Sequence, residues 1–134
     1  MSRATPKMRD LAERLIAHEA RGNKSPKIPL ALLVDERLRP HLATLMGSVG
    51  FRALLSRALV LANAEIPWLR AVHVKPDSSF AGLGELEANV GPEDFLEGCV
   101  VLLAQFLGLL VTFIGEDLML RLLRRAWPKL PLSD

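Results

Sequence analysis

The chain has 134 residues, of which 50% are hydrophobic and 24% charged, with a single cysteine and a net charge of +2. This length is typical of one domain, and one cysteine excludes an intrachain disulfide, which favours the cytoplasm. Because the first twenty residues are charged throughout, we expect no secretory signal peptide. The sequence predicts one cytoplasmic domain over residues 1–134, with residues 1–4 and 129–134 frayed.

Leucine accounts for the excess of apolar residues. The chain has 27 leucines, against 16 valine, isoleucine and threonine residues together. Leucine favours helices, whereas β-branched residues favour strands. The composition therefore predicts an all-α fold, and the segments described below predict a compact bundle of about five helices around a central hydrophobic helix.

The first predicted helix begins at Thr5-Pro6, a hydroxyl N-cap followed by a proline in the first turn. Gly22-Asn23 ends it, and residues 24–29, which contain two prolines, are predicted to form a linker. Apolar residues recur at the spacing of one helical face: Met8, Leu11, Ala12, Leu15 and Ile16.

A second helix is predicted over residues 35–46, after a short apolar run at residues 30–34. Proline is tolerated in a helix only in or near its first turn. Since Pro40 lies within this segment, we expect the helix to begin closer to Arg39 than to Asp35.

Residues 47–50 contain two glycines and are predicted to break the chain. A long amphipathic helix then extends from Ser48 to about Ala64 and ends before Pro67. Residues 72–76 alternate as an extended segment does, but one isolated strand cannot form a sheet. Residues 77–91 are the loosest part of the chain, with a short weak helix over residues 83–88.

The central segment is a run of eighteen residues without a formal charge, residues 98–115. A segment that is apolar on every side must be surrounded, either by the rest of the protein or by lipid. We expect a central helix over about residues 92–126, with the other amphipathic helices packed around it.

Four small residues of the central segment fall on one helical stripe: Ala104, Gly108, Thr112 and Gly115. Glycine inside a helix costs about 1 kcal/mol relative to alanine, so we interpret the stripe as a surface for close helix contact. The alternative is a kink or break near Gly115, with Glu116 and Asp117 beginning a second helix.

The same run also just reaches the length of a membrane span. The arginines that follow it would place its C-terminal side in the cytoplasm, although Gln105 lies near its middle. The alternative to a soluble bundle is therefore a single-span membrane protein anchored by residues 98–115.

Residue types that catalyse reactions or bind metals are scattered. Cys99 lies among valines and leucines and is predicted to be buried and inert. His18, His41 and His73 fall on three different elements and lack the spacing of a metal site. No phosphate-binding glycine loop or nucleophile motif occurs. We therefore expect no enzyme, with no catalytic, cofactor-binding or metal site and no small-molecule substrate.

Charge is uneven along the chain. Residues 1–27 carry seven basic and three acidic side chains, whereas residues 76–115 carry six acidic side chains and no basic one. This segregation favours contact with a second copy or a charged partner.

Arg121, Arg124 and Arg125 form a candidate basic patch, although cations near a helix C-terminus also stabilise the helix dipole. The chain has no tyrosine, and platforms for base stacking are lacking. Association with nucleic acid is therefore a lesser alternative.

Two segments of the chain resemble a group of small uncharacterised bacterial helical proteins. They are LLVTFIGEDLMLRLLRRAWP at residues 109–128 and RPHLATLMG at residues 39–47. The resemblance extends over residues 39–128. It implies a helical domain of bacterial origin and brings no activity or site residues.

Together these observations predict a non-catalytic protein-interaction or oligomerisation module. It is expected to self-associate, through the small-residue stripe or an exposed apolar face, or to bind a protein partner.

Overall fold

The computed structural model of the chain describes residues 4–22, 30–77 and 80–129, and of residues 20–22, 30–35, 84 and 87 the backbone alone. The described residues form five α-helices that pack against one another, a 3-10 helix and a small sheet, which confirms the predicted all-α bundle. The elements are α1 (Pro6–Gly22), α2 (Leu30–Glu65), the 3-10 helix (Pro67–Ala71), β1 (His73–Val74), β2 (Phe80–Ala81), α3 (Leu83–Val90), α4 (Pro92–Ile114) and α5 (Glu116–Ala126).

The first helix forms as its sequence predicts. The Thr5 side-chain oxygen accepts a hydrogen bond of 3.2 Å from the Met8 backbone N–H, so Thr5 caps α1. All five residues of the predicted apolar face are buried. The predicted linker at residues 24–29 and most of the predicted frayed ends lie outside the described residues. Ala4, at the predicted frayed end, donates its backbone N–H to the Glu65 carboxylate at 3.0 Å.

The prediction that the second helix begins near Arg39 is wrong, because α2 begins at Leu30 and holds Pro40 in its interior. An interior proline removes one hydrogen bond and crowds the preceding turn, at a cost of about 3 kcal/mol. Leu38 and Leu42 lie on either side of it and are fully buried. Burial stabilises each leucine by about 1.5–3 kcal/mol, which offsets the cost of the proline.

The predicted break after this segment occurs at one residue. Gly47 has φ +78° and ψ 163°, and the helix resumes immediately after it. This backbone conformation is essentially restricted to glycine. The helix then ends at Glu65, two residues before Pro67, as predicted.

A two-stranded sheet forms where none is predicted. β1 pairs antiparallel with β2, with Val74 opposite Phe80, so the expectation of an isolated extended segment at residues 72–76 is wrong. Phe80 packs against the core, and this contact holds a partner strand beside the predicted one.

The central hydrophobic segment is two helices, and the prediction of one helix over about residues 92–126 is wrong. α4 ends at Ile114, Gly115 has φ +88° and ψ 155°, and α5 begins at Glu116. The alternative of a break near Gly115 is therefore what the structure has. Glu116 and Asp117 lie in the first turn of α5, where negative charge is favourable.

The first of these helices, α4, is the centre of the bundle and contacts α1, α2, α3 and α5. It is antiparallel to α1, since Met8 approaches Gly108 whereas Ile16 and Val100 line one groove. The indole of Trp68 lies on Gly98, where an added Cβ atom would be 2.2 Å from the ring. The same indole stacks on Phe95, with ring centroids 5.7 Å apart. The tightly packed glycine of α4 is therefore Gly98.

Candidate interaction surface

The four residues of the small-residue stripe lie in different environments. Ala104 is buried and Thr112 is exposed, with its hydroxyl donating to the Gly108 carbonyl at 3.1 Å. An added Cβ atom on Gly108 would have Met8 Cγ as its nearest neighbour, at 4.0 Å. Gly115 lies between the two helices. Within the chain, the stripe is therefore not a line of close backbone contact, and its role in self-association stays a prediction.

The three arginines of the candidate basic patch are exposed on α5. Arg121, Arg124 and Arg125 make no hydrogen bond or ion pair with the described part of the chain. We call these three residues the arginine face. Two of them lie in the last turn of the helix, where positive charge is favourable.

An open groove of about 410 Å³ lies between α1 and the first half of α4. Its floor is apolar, because Ile16 and Val100 are buried beneath it, and Leu96 stands at its edge with 49% of its surface exposed. We call this surface the acidic groove. Its lining residues are Glu13, Ile16, Ala17, Glu93, Leu96, Glu97 and Val100. The sequence alone does not predict this surface.

Three carboxylates rim the acidic groove, and one of them already binds a guanidinium. Arg9 donates two hydrogen bonds from Nη2 to the two Glu97 oxygens, at 2.8 and 3.0 Å. This hydrogen bonding raises the pKa of Arg9 above its ordinary value, against the lowering effect of partial burial. Glu13 and Glu93 are exposed and have no such partner among the described residues.

The sequence carries only part of the signal for this groove. Glu93 and Glu97 are one helical turn apart with Leu96 beside them, a pattern that places an apolar side chain among acids. The other wall comes from α1, about eighty residues earlier in the chain. Only the docking of α1 on α4 turns the two walls into one surface.

Two buried or half-buried carboxylates stabilise the bundle outside this groove. Glu19, of which only 7% is exposed, accepts a hydrogen bond of 2.7 Å from the Trp127 indole and another from Arg37. Glu65 accepts one of 2.7 Å from the Gln105 amide. Each carboxylate links helices that are distant in sequence, as buried polar groups require partners.

The residues considered for chemistry stay apart in the fold. Cys99 is buried in α4, as predicted, and His18, His41 and His73 lie on α1, α2 and β1. Among the described residues, no three His, Cys, Asp or Glu side chains are close enough to share a metal ion.

Two segments are long and apolar enough to cross a membrane by length and composition, Glu36–Glu65 and Pro92–Ile114. In the most apolar window of the second, 61% of the residues are buried inside the bundle, against 33% in the first. A helix in the core of a soluble protein has this same pattern.

No family model, curated protein or solved structure matches the chain. The resemblance of residues 39–128 to small bacterial helical proteins therefore stays a prediction.

Proposed function

We propose that this chain is a non-catalytic helical module that acts by binding protein, with a second copy of itself as the first partner to test. The observation that carries this proposal is the acidic groove between α1 and α4. It combines an apolar floor with a half-exposed Leu96 and exposed carboxylates. Protein interfaces commonly have an apolar centre and a polar rim.

The chemistry of the groove supports binding rather than reaction. Its lining offers carboxylates and aliphatic side chains, and the only thiol of the chain, Cys99, is buried in α4. The carboxylates Glu93 and Glu97 are at the surface, where they can pair with a cationic partner.

Further apolar surface is available for association outside the groove. Val49 and Val60 on α2 and Phe113 on α4 are each more than half exposed. Burial of such side chains against another chain is favourable, at about 25 cal/mol for each Å² removed from water.

The test is the molar mass of the full chain, purified without detergent and measured by light scattering across a hundredfold range of concentration. We expect a cytoplasmic protein that stays in solution and whose weight-average mass rises above that of one chain as concentration increases. A mass of one chain throughout the range would contradict self-association.

The second candidate is a single-span membrane protein, which the length and apolar character of α4 favour. In that case the protein would be recovered only in detergent and would stay in the membrane fraction at high salt. Recovery of the chain in the soluble fraction would contradict this candidate.

A further inference from the structure

We propose that the acidic groove of one copy receives the arginine face of α5 from a second copy. This inference rests on the proposed function and adds the identity of the two surfaces. The contact joins unlike surfaces, so each chain carries both a donor surface and an acceptor surface.

The charges of the two surfaces match in sign and in spacing. Glu93 and Glu97 are four residues apart on α4, and Arg121 and Arg125 are four residues apart on α5. Each pair therefore spans about 6 Å along its helix, at about 1.5 Å per residue. With the helices aligned, both carboxylates can meet a guanidinium.

The third charge on each surface completes the match. Glu13 reaches the groove from the opposite wall, α1, and Arg124 lies beside Arg125 on α5. Neither residue makes a hydrogen bond or a salt bridge among the described residues, although Glu13 is close enough to Arg9 to attract it electrostatically. Complementary potentials of this kind select the partner and fix its register.

Apolar contact accompanies the charges. Leu118 lies three residues before Arg121 and is half-buried, so it shares a helical stripe with Arg121 and Arg125. When the arginines lie over the carboxylates, this leucine is close to the apolar part of the groove, where Leu96 is 49% exposed.

The chain itself contains an example of the contact. Arg9 donates hydrogen bonds to both carboxylate oxygens of Glu97, and the Glu97 side chain still has 48% of its surface exposed. The groove therefore accommodates a guanidinium at Glu97. Because each carboxylate oxygen can accept a second hydrogen bond, Glu97 remains available to a second chain together with Glu13 and Glu93.

The test uses two charge-reversed chains, the variant E13K/E93K and the variant R121E/R124E/R125E. The first has a basic groove beside an intact arginine face, and the second has an acidic α5 beside an intact groove. We expect each variant alone to associate at least about tenfold more weakly than the natural chain, because like charges then face each other. Mixed in equal amounts, the two variants should associate with each other, because both possible contacts are then complementary.

Sedimentation velocity measures these masses, and circular dichroism verifies that each variant retains its helix content. A milder variant, R121Q/R124Q/R125Q, removes the charges without reversing them. It should weaken association by less than the reversal does, and it keeps the test informative if the reversed α5 does not fold.

Matched controls place the same charge change on other exposed positions. The variant E85K/D94K alters two acids outside the groove, and Asp94 lies in the same first turn of α4 as Glu93, so it reproduces the effect on the helix dipole. The variant R57E/R70E/K75E alters three exposed cations on other elements. Both controls should associate as the natural chain does.

The outcomes separate this inference from the proposed function. A natural chain that is monomeric at every concentration contradicts both. If the natural chain associates but the reversed variants associate equally well alone, self-association stands and the pairing of these two surfaces is wrong. Weak association of each variant alone, restored in the mixture, supports the pairing.

Discussion

Two parts of α4, residues 98–107 and residues 108–114, are both largely apolar but have opposite surroundings. Residues 98–107 are buried without interruption, whereas Thr112 and Phe113 near the end of the helix are exposed. The earlier part is enclosed by α1, α2 and the 3-10 helix, and the later part lies beside the break at Gly115. Apolar residues therefore continue to the end of α4, although only part of the helix lies in the core.

The largest difference in stability between these two parts of α4 is expected when a phenylalanine in each is replaced. Phe106 is 3% exposed and packs edge to face on Phe51, with ring centroids 6.1 Å apart. Phe113 is 70% exposed. Phe106→Ala should lower the free energy of unfolding by about 3–5 kcal/mol through lost burial and a cavity. Phe113→Ala should change it by less than about 0.5 kcal/mol. Urea denaturation at one fixed protein concentration measures both, and equal losses would refute the assignment of core and surface.

An intermediate effect is expected where α4 ends. Gly115 has φ +88° with no atom within 4 Å of an added Cβ atom, so Gly115→Ala has no steric clash and only backbone strain. Such strain costs about 1–3 kcal/mol. Thermal denaturation should show a lower Tm with unchanged helix content by circular dichroism. A Tm equal to that of the natural chain would indicate that the helices can join without a break.

Effects of opposite sign are expected at the two glycines inside α4, and the effect at Gly108 is the smallest. Gly98→Ala brings a Cβ atom within 2.2 Å of the Trp68 ring, and overpacking of this kind costs about 1–3 kcal/mol. Gly108→Ala meets only Met8 Cγ at 4.0 Å and should stabilise the helix by up to about 1 kcal/mol.

Urea denaturation of these two alanine variants compares the same substitution in one helix. Destabilisation by Gly108→Ala would show that α4 is packed more closely around Gly108 than the 4.0 Å distance to Met8 Cγ indicates. A larger substitution, Gly108→Leu, tests the small-residue stripe directly, because an unchanged mass and Tm would exclude it as an assembly surface.

Local signals predicted the elements whose stability is local. The spacing of apolar residues and the Thr5 cap placed α1 correctly, and Pro67 marked the end of α2. The interior Pro40 predicts a helix start instead, because the local cost of a proline inside a helix is large. The burial of Leu38 and Leu42, which offsets that cost, depends on other helices and is invisible in the segment alone.

The candidate site was harder to predict than the fold for the same reason. The arginine face is contiguous on α5 and was found from the sequence. The acidic groove has one wall on α1 and the other on α4, so no single segment contains its pattern. β1 was likewise recognised as extended, but its partner is visible only when Phe80 is known to pack on the core.

The hydrogen bond between Glu19 and Trp127 has a consequence for the order in which the protein is made. The two residues are 108 positions apart, so α1 leaves the ribosome long before the indole exists. At a synthesis rate of about 5–20 residues per second, roughly 5–20 seconds pass between the addition of Glu19 and the addition of Trp127. During that interval Glu19 already has Arg37 of α2 as a partner, and the contact with the indole forms only after α5 has been synthesised.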